Sequence, residues 1–136
     1  MLDAEMKAQL GGYLERLVTP VEITAYVDDS TDTQNMLALL ADITSLSAKV
    51  SVRQANAGAA RTPSFALARP GEAARITFAG IPMGHEFTSL VLALLQVGGY
   101  PPKVDQTVIE QIRSLDGDFE FTTYISLSCQ SCPDVV

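Results

Sequence analysis

Several features that define common protein classes are scarce or absent in this sequence. Its 136 residues include no tryptophan, one histidine and two cysteines, and nine lysines and arginines stand against sixteen aspartates and glutamates. The net charge of −7 argues against a nucleic-acid-binding protein, since such proteins carry basic surfaces. We therefore expect the partners to be small molecules or proteins with basic patches.

Long hydrophobic runs are also absent. The longest apolar stretch, residues 87–97, is too short to span a bilayer and is interrupted by Thr88, Ser89 and Gln96. The opening "MLDAEMKAQL" has neither the apolar core nor the cleavage pattern of a signal peptide. These observations predict a cytoplasmic protein without membrane contact. In that compartment a close cysteine pair favours redox or metal chemistry over a structural disulfide.

Nucleotide-binding motifs are absent as well. No GxGxxG sequence follows a predicted strand, and no P-loop occurs. We therefore expect no cofactor site within this chain.

The hydrophobic pattern that is present predicts an α/β protein with a thioredoxin-like fold. A helix with Met6, Leu10, Leu14, Leu17 and Val18 on its inner face should run from Asp3 to about residue 19. We then expect a strand at 21–27, a helix to about 47, a strand at 50–54, a hairpin at 64–69 and 76–78, and a helix at 85–97. This order indicates an α/β sandwich with a mixed sheet.

The pattern then begins again. A helix is predicted from about residue 102 to 115, and "FEFTTYISLS", residues 119–128, alternates like a strand. This strand aligns with "VEITAYVDDS", residues 21–30, and the helices that precede the two segments align as well. The sequence therefore predicts a first fold at residues 1–100 and, at 101–136, the start of a second tandem fold, truncated at its second helix. On this interpretation, part of the natural protein lies outside the chain.

The two cysteines, Cys129 and Cys132, follow the predicted second-fold strand where a helix should begin. The partial positive charge of a helix start favours a thiolate, and this spacing lets the two sulfurs bridge. Cys129, expected nearest the helix tip, is the predicted nucleophile and Cys132 the resolving thiol. Pro133 suits an early helical position.

Other interpretations of the cysteine pair remain open at this point. A zinc site would need two further ligands, and the only histidine is His85. The thiols could also be inert. In the first fold the equivalent positions are Thr31 and Gln34, so that fold is expected to be redox-silent. Thr62-Pro63, just before a strand, lies where thioredoxin-like folds hold a cis proline.

Three segments of the chain resemble one protein family. They are "MLDAEMKAQLGGYLERLVTPVEI", "EFTSLVLALLQVGGYPPK" and "LDGDFEFTTYISLSCQSCPDVV". Together they are similar to the N-terminal domain of the F subunit of alkyl hydroperoxide reductase. That resemblance implies two tandem thioredoxin-like folds whose only active Cys-x-x-Cys matches Cys129 and Cys132.

The resemblance also implies a function. The pair would carry electrons from a C-terminal flavoprotein part, which uses FAD and NADH, to the disulfide of a peroxiredoxin subunit. The full-length protein would be a homodimer, and the chain alone would lack both cofactor sites. Glu86, in "GHEFTSL", matches an acid that lies near the dithiol and aids proton transfer. From the residues alone, the simpler interpretation of Glu86 is a first-turn acid that complements a helix dipole.

Two functions from other classes compete with this one. The chain could be a redox-silent docking module with incidental cysteines, or a protein disulfide oxidoreductase that needs no flavin partner. The second differs from the reductase hypothesis in predicting no GxGxxG motifs in sequence beyond Val136.

Overall fold

The computed structural model describes residues 1–136 and contains one four-stranded mixed sheet. The strands are β1 (Val21–Tyr26), β2 (Val50–Ala55), β3 (Ser64–Ala68) and β4 (Ile76–Phe78). Their order in the sheet is β2-β1-β3-β4. β1 pairs parallel to β2 and antiparallel to β3, and β3 and β4 form the predicted antiparallel hairpin.

Three helices belong to this first fold: α1 (Ala4–Leu14), α2 (Thr31–Leu46) and α3 (Phe87–Val97), the last preceded by a 3₁₀ turn at Gly84–Glu86. The side chains of Asp3 and Ser30 cap α1 and α2 by accepting hydrogen bonds from backbone N–H groups. α2 packs on β2, α3 packs on β3, and α1 contacts both helices. The predicted mixed α/β arrangement is therefore confirmed.

The core lies between these helices and the sheet. Its fully buried members are mainly aliphatic, which suits close packing of helices on a sheet. The largest are Leu10, Leu14, Ile23, Met36, Leu39, Leu40, Ile43, Phe65, Leu67, Leu90 and Leu94. The prediction that Val18 faces inward is wrong. Val18 is 68% exposed, because α1 ends at Leu14 and the chain leaves the helix before it.

The second half of the sequence pattern has a different outcome. The predicted helix forms as α4 (Gln106–Arg113), but its apolar residues Val108 and Ile112 are exposed. Residues 119–126 form no strand, and Phe119 and Phe121 are exposed. The strand prediction is therefore wrong for this structure. A strand needs a neighbour to satisfy its N–H and C=O groups, and β1–β4 already form the sheet without this segment.

No helix is both long enough and apolar enough to cross a membrane.

Candidate redox site

Cys129 and Cys132 are joined by a disulfide, with their Cα atoms 5.5 Å apart. Both residues are half-buried, so one side of the pair faces solvent. A turn positions the first cysteine, because the N–H of Cys129 donates to the carbonyl of Ser126 at 3.0 Å. The Cys129 sulfur also lies 3.8 Å from the hydroxyl of Ser131. The pair is thus held in its oxidised form at a partly exposed position.

The cysteines occupy different places relative to the helix that follows them. α5 (Cys132–Val135) begins at the second cysteine, with Pro133 in its first turn as predicted. The expectation that Cys129 sits at the helix tip is wrong, because the 126–129 turn places it before the helix. Cys132, rather than Cys129, therefore occupies the helix start.

The first fold supports the cysteine segment through the 3₁₀ turn. The carbonyl of Leu127 accepts a hydrogen bond from the N–H of His85 at 3.3 Å. Gly84 has a φ of +59°, and a Cβ there would lie 2.9 Å from the Leu127 carbonyl oxygen. Only glycine combines this backbone conformation with such a close approach. The same turn packs against α5, so two contacts dock the disulfide loop on the first fold.

A second contact holds the segment that precedes the cysteines against the first fold. The guanidinium of Arg61 donates to the hydroxyl of Tyr124 at 2.9 Å and lies 5.6 Å from its ring centroid. Both residues are exposed, so this hydrogen bond and cation–π contact lie on the surface and not in the core. Sequence reasoning missed it, since nothing in either neighbourhood marks Arg61 and Tyr124 as partners.

Glu86 lies in the turn that packs on the cysteine helix. Its side chain is 1% exposed, which is rare for a carboxylate. Oε2 accepts a hydrogen bond from the hydroxyl of Ser89 at 2.6 Å, and Oε1 is buried with no hydrogen-bond partner. The structure thus places Glu86 in the turn that packs on α5, the helix that begins at Cys132, and adds Ser89, which the sequence did not indicate.

The peptide bond between Thr62 and Pro63, whose state the sequence left open, is cis. Pro63 lines an open groove of about 610 Å³ at the start of β3. Asp32 and Arg61 bring opposite charges to this groove, and Leu127 closes it on the side of the disulfide loop. The groove therefore connects the first fold with the cysteine segment.

The start of α2, equivalent to the cysteine loop in the predicted duplication, holds a hydrogen-bond network. The Asp28 carboxylate accepts from the hydroxyls of Ser30 and Thr33, the latter at 2.6 Å. These hydroxyls, Ser30 first, lower the pKa of Asp28. Thr31 and Gln34 occupy the cysteine-equivalent positions, and neither can exchange a disulfide. No group of three histidine, cysteine, aspartate or glutamate side chains lies together in the structure.

Comparison with known proteins identifies the relatives of this arrangement. The F subunit of alkyl hydroperoxide reductase from Pseudomonas aeruginosa is 57% identical over all 136 residues, which span 26% of its length. A Bacillus subtilis protein named NADH dehydrogenase is 50% identical over the same residues and the same share of its length. The chain is related to the F subunit of alkyl hydroperoxide reductase. The resemblance found in the sequence is confirmed.

Solved structures place this relationship in the N-terminal part of the F-subunit proteins. The NTD_N/C domain of alkyl hydroperoxide reductase from Enterococcus faecalis matches with a TM-score of 0.85 and 26% identity, over all of this chain and 71% of that one. A protein disulfide oxidoreductase from Aeropyrum pernix matches with a TM-score of 0.77, over 98% of this chain and 64% of that one. At 23% identity, it shows the fold alone. The thioredoxin-like fold is thus confirmed. No family model matches the chain.

Proposed function

We propose that this chain is the dithiol/disulfide electron carrier of an NADH- and FAD-dependent alkyl hydroperoxide reductase. It receives two electrons from a C-terminal flavoprotein part and passes them to the disulfide of a peroxiredoxin subunit. The observation that carries the proposal is the half-exposed Cys129–Cys132 disulfide, docked on a redox-silent fold in a chain related to the F-subunit proteins.

The transfer to the partner is a thiol–disulfide exchange. We assign the attack to Cys129 because the Ser131 hydroxyl lies 3.8 Å from its sulfur and can donate to a thiolate there. The Cys129 thiolate attacks one sulfur of the partner's disulfide, forms a mixed disulfide and releases the other partner sulfur as a thiolate. Cys132 then attacks Cys129, which restores the intramolecular disulfide and releases the second partner thiolate. The partner disulfide is reduced by two electrons, and the dithiol of this chain is oxidised by two.

Glu86 handles a proton in this exchange. The Cys132 thiol must lose its proton before it attacks, and a departing partner thiolate must gain one. The unpartnered Oε1 of Glu86 accepts the proton of the Cys132 thiol and gives it to the departing partner thiolate. The packing of the Gly84–Glu86 turn against α5 supports this role.

The proposal divides the chain at about residue 100. Residues 1–100 are the redox-silent first fold, which supplies Glu86 and a docking surface, and residues 101–136 begin a second fold that carries the dithiol. The exposed apolar residues of α4 and of 119–127 support this division, since they have the spacing of core residues but no other element packs over them.

The other partners follow from the length of the relatives. The chain spans about a quarter of the curated proteins it matches, and it carries no dinucleotide fingerprint of its own. The proposal therefore assigns FAD and NADH to the C-terminal part of the polypeptide, with a homodimeric, cytoplasmic full-length protein. The name of the Bacillus subtilis relative supports a reaction with NADH.

Trapping of the mixed disulfide tests the proposal. The reduced Cys132→Ser variant should remain covalently attached to an oxidised peroxiredoxin through Cys129, whereas wild type should release reduced peroxiredoxin. The Cys129→Ser variant is the matched control and should trap little. Equal trapping by both variants, or none by either, would contradict the assigned roles.

The groove beside Pro63 favours a second candidate, a docking module whose cysteines do not react. Such a module would bind the peroxiredoxin but leave its disulfide oxidised. Binding with no change in the partner's thiol count would support this candidate over electron transfer.

A further inference from the structure

Ser89 makes the only hydrogen bond to the Glu86 side chain in the structure. Its hydroxyl donates to Oε2 at 2.6 Å, and both residues are buried, Ser89 at 5% and Glu86 at 1% exposure. Ser89 lies in the first turn of α3, three residues after Glu86, so the contact is local and its geometry is set by the helix. Oε2 therefore accepts one hydrogen bond, whereas Oε1 accepts none.

We propose that Ser89 is a positioning residue, which holds the Glu86 carboxylate so that Oε1 is the oxygen available to the dithiol. This inference rests on the proposed function and goes beyond it, since it adds a residue that touches neither cysteine nor partner. A serine hydroxyl that donates to one oxygen of a buried carboxylate restricts the rotation of that carboxylate. The hydrogen bond to Oε2 thereby fixes where Oε1 lies.

The charges around Glu86 come from few groups. His85 precedes it in the same turn, and α5, which packs against the turn, carries Cys132 and Asp134. α3 carries no charged side chain. Asp134 is exposed, so solvent screens its charge, and Ser89 provides the one buried polar contact to the carboxylate.

The test is the pH dependence of alkylation of each reduced cysteine by iodoacetamide, read by mass spectrometry. The log rate of Cys132 alkylation should rise with pH and bend where its thiol has become a thiolate. A nearby carboxylate opposes thiolate formation, so this bend should lie at a higher pH in wild type than in Glu86→Gln. Ser89→Ala should move the bend of Cys132 by about half a pH unit towards that of Glu86→Gln, because the carboxylate is no longer held beside α5.

Matched variants separate this role from a structural one. Ser89→Thr should restore the wild-type bend, because it keeps the hydroxyl. Thr88→Ala removes an exposed hydroxyl from the neighbouring position and should change nothing. Asp134→Asn should leave the bend in place, and Glu86→Gln should move it to lower pH.

Two results would overturn the inference in distinguishable ways. If Glu86→Gln moves the bend of Cys132 to lower pH but folded Ser89→Ala leaves it unmoved, Ser89 does not position the carboxylate, while the role of Glu86 stands. If Glu86→Gln leaves the bend in place, Glu86 does not act on the dithiol, and both ideas fail. Trapping at Cys129 tests electron transfer independently of either result.

Discussion

Asp42 anchors the amino terminus of the chain to α2. Its Oδ2 accepts from the Leu2 N–H at 2.8 Å and from the Met1 ammonium at 3.0 Å, and Oδ1 pairs with Lys7 at 3.2 Å. These contacts, led by the Leu2 N–H, lower the pKa of Asp42 to about 2. Because the folded pKa lies below the ordinary value of 3.8, the ionised carboxylate stabilises the folded state above that value.

We expect Asp42→Asn to lower the free energy of unfolding by about 1 kcal/mol at pH 7, less than the full pKa shift implies because the pairs are partly exposed. Thermal melts should show a decrease of a few degrees. The difference from wild type should shrink as the pH falls from about 4 towards 2, where Asp42 becomes protonated in both states.

The control for this variant is Asp116→Asn, which removes a carboxylate that makes no ion pair. It should leave the melting temperature nearly unchanged at pH 7. A constant difference between wild type and Asp42→Asn from pH 7 to pH 2 would show that charge is not the cause.

Single residues of the redox site also show which of its features the sequence alone could predict. Cys129 and Cys132 follow from spacing and fold, because motif and chain order carry that information. The position of Pro63 before a strand suggests a cis bond without deciding it. The burial of Glu86 and its bond to Ser89 depend on how the 3₁₀ turn sits under α5. No local pattern encodes that packing, so the sequence named the acid only by resemblance.

At the scale of elements, the Gly84–Glu86 turn joins the first fold to the disulfide loop. We expect Gly84→Ala to loosen this junction by about 1–2 kcal/mol, because alanine disfavours a positive φ and its Cβ would press on the Leu127 carbonyl oxygen. The His85 amide should exchange faster with deuterium, and residues 124–128 should be cleaved faster by protease. The amides of β1 and β3 should keep their protection.

Gly12→Ala is the matched control, because Gly12 lies in α1 and a Cβ at this position would have no atom within 4 Å. This change should stabilise the chain by about 0.5–1 kcal/mol. If Gly84→Ala leaves the exchange of His85 as slow as in wild type, the turn does not hold the disulfide loop.

Elements whose partners lie in the chain were predictable within a few residues. β1, β2 and the β3–β4 hairpin agree closely with their predicted ranges, because each alternating or apolar segment has a neighbour to pair with. The segment 119–126 has an equally good strand pattern and forms no strand. The sequence pattern shows that a segment is able to form a strand. Whether the strand forms depends on a neighbouring strand with which it can pair.

For the whole molecule, this contrast predicts uneven protection from exchange. Amides of β1 should exchange slowly, since this central strand is hydrogen-bonded on both sides, whereas amides of 119–125 should exchange within the fastest class. Hydrogen–deuterium exchange with the oligomeric state monitored would check this. Protected amides at 119–125 in a demonstrated monomer would contradict the unpaired state of this segment.

The central claim for the whole molecule is that Cys129 and Cys132 work as one two-electron couple. The most direct measurement is to equilibrate the chain in glutathione buffers of graded potential, quench by alkylation and count thiols by mass spectrometry. The account predicts a single reversible transition in which both cysteines change state together, from dithiol to intramolecular disulfide. Independent oxidation, with glutathione accumulating on one cysteine while the other stays reduced, would contradict it.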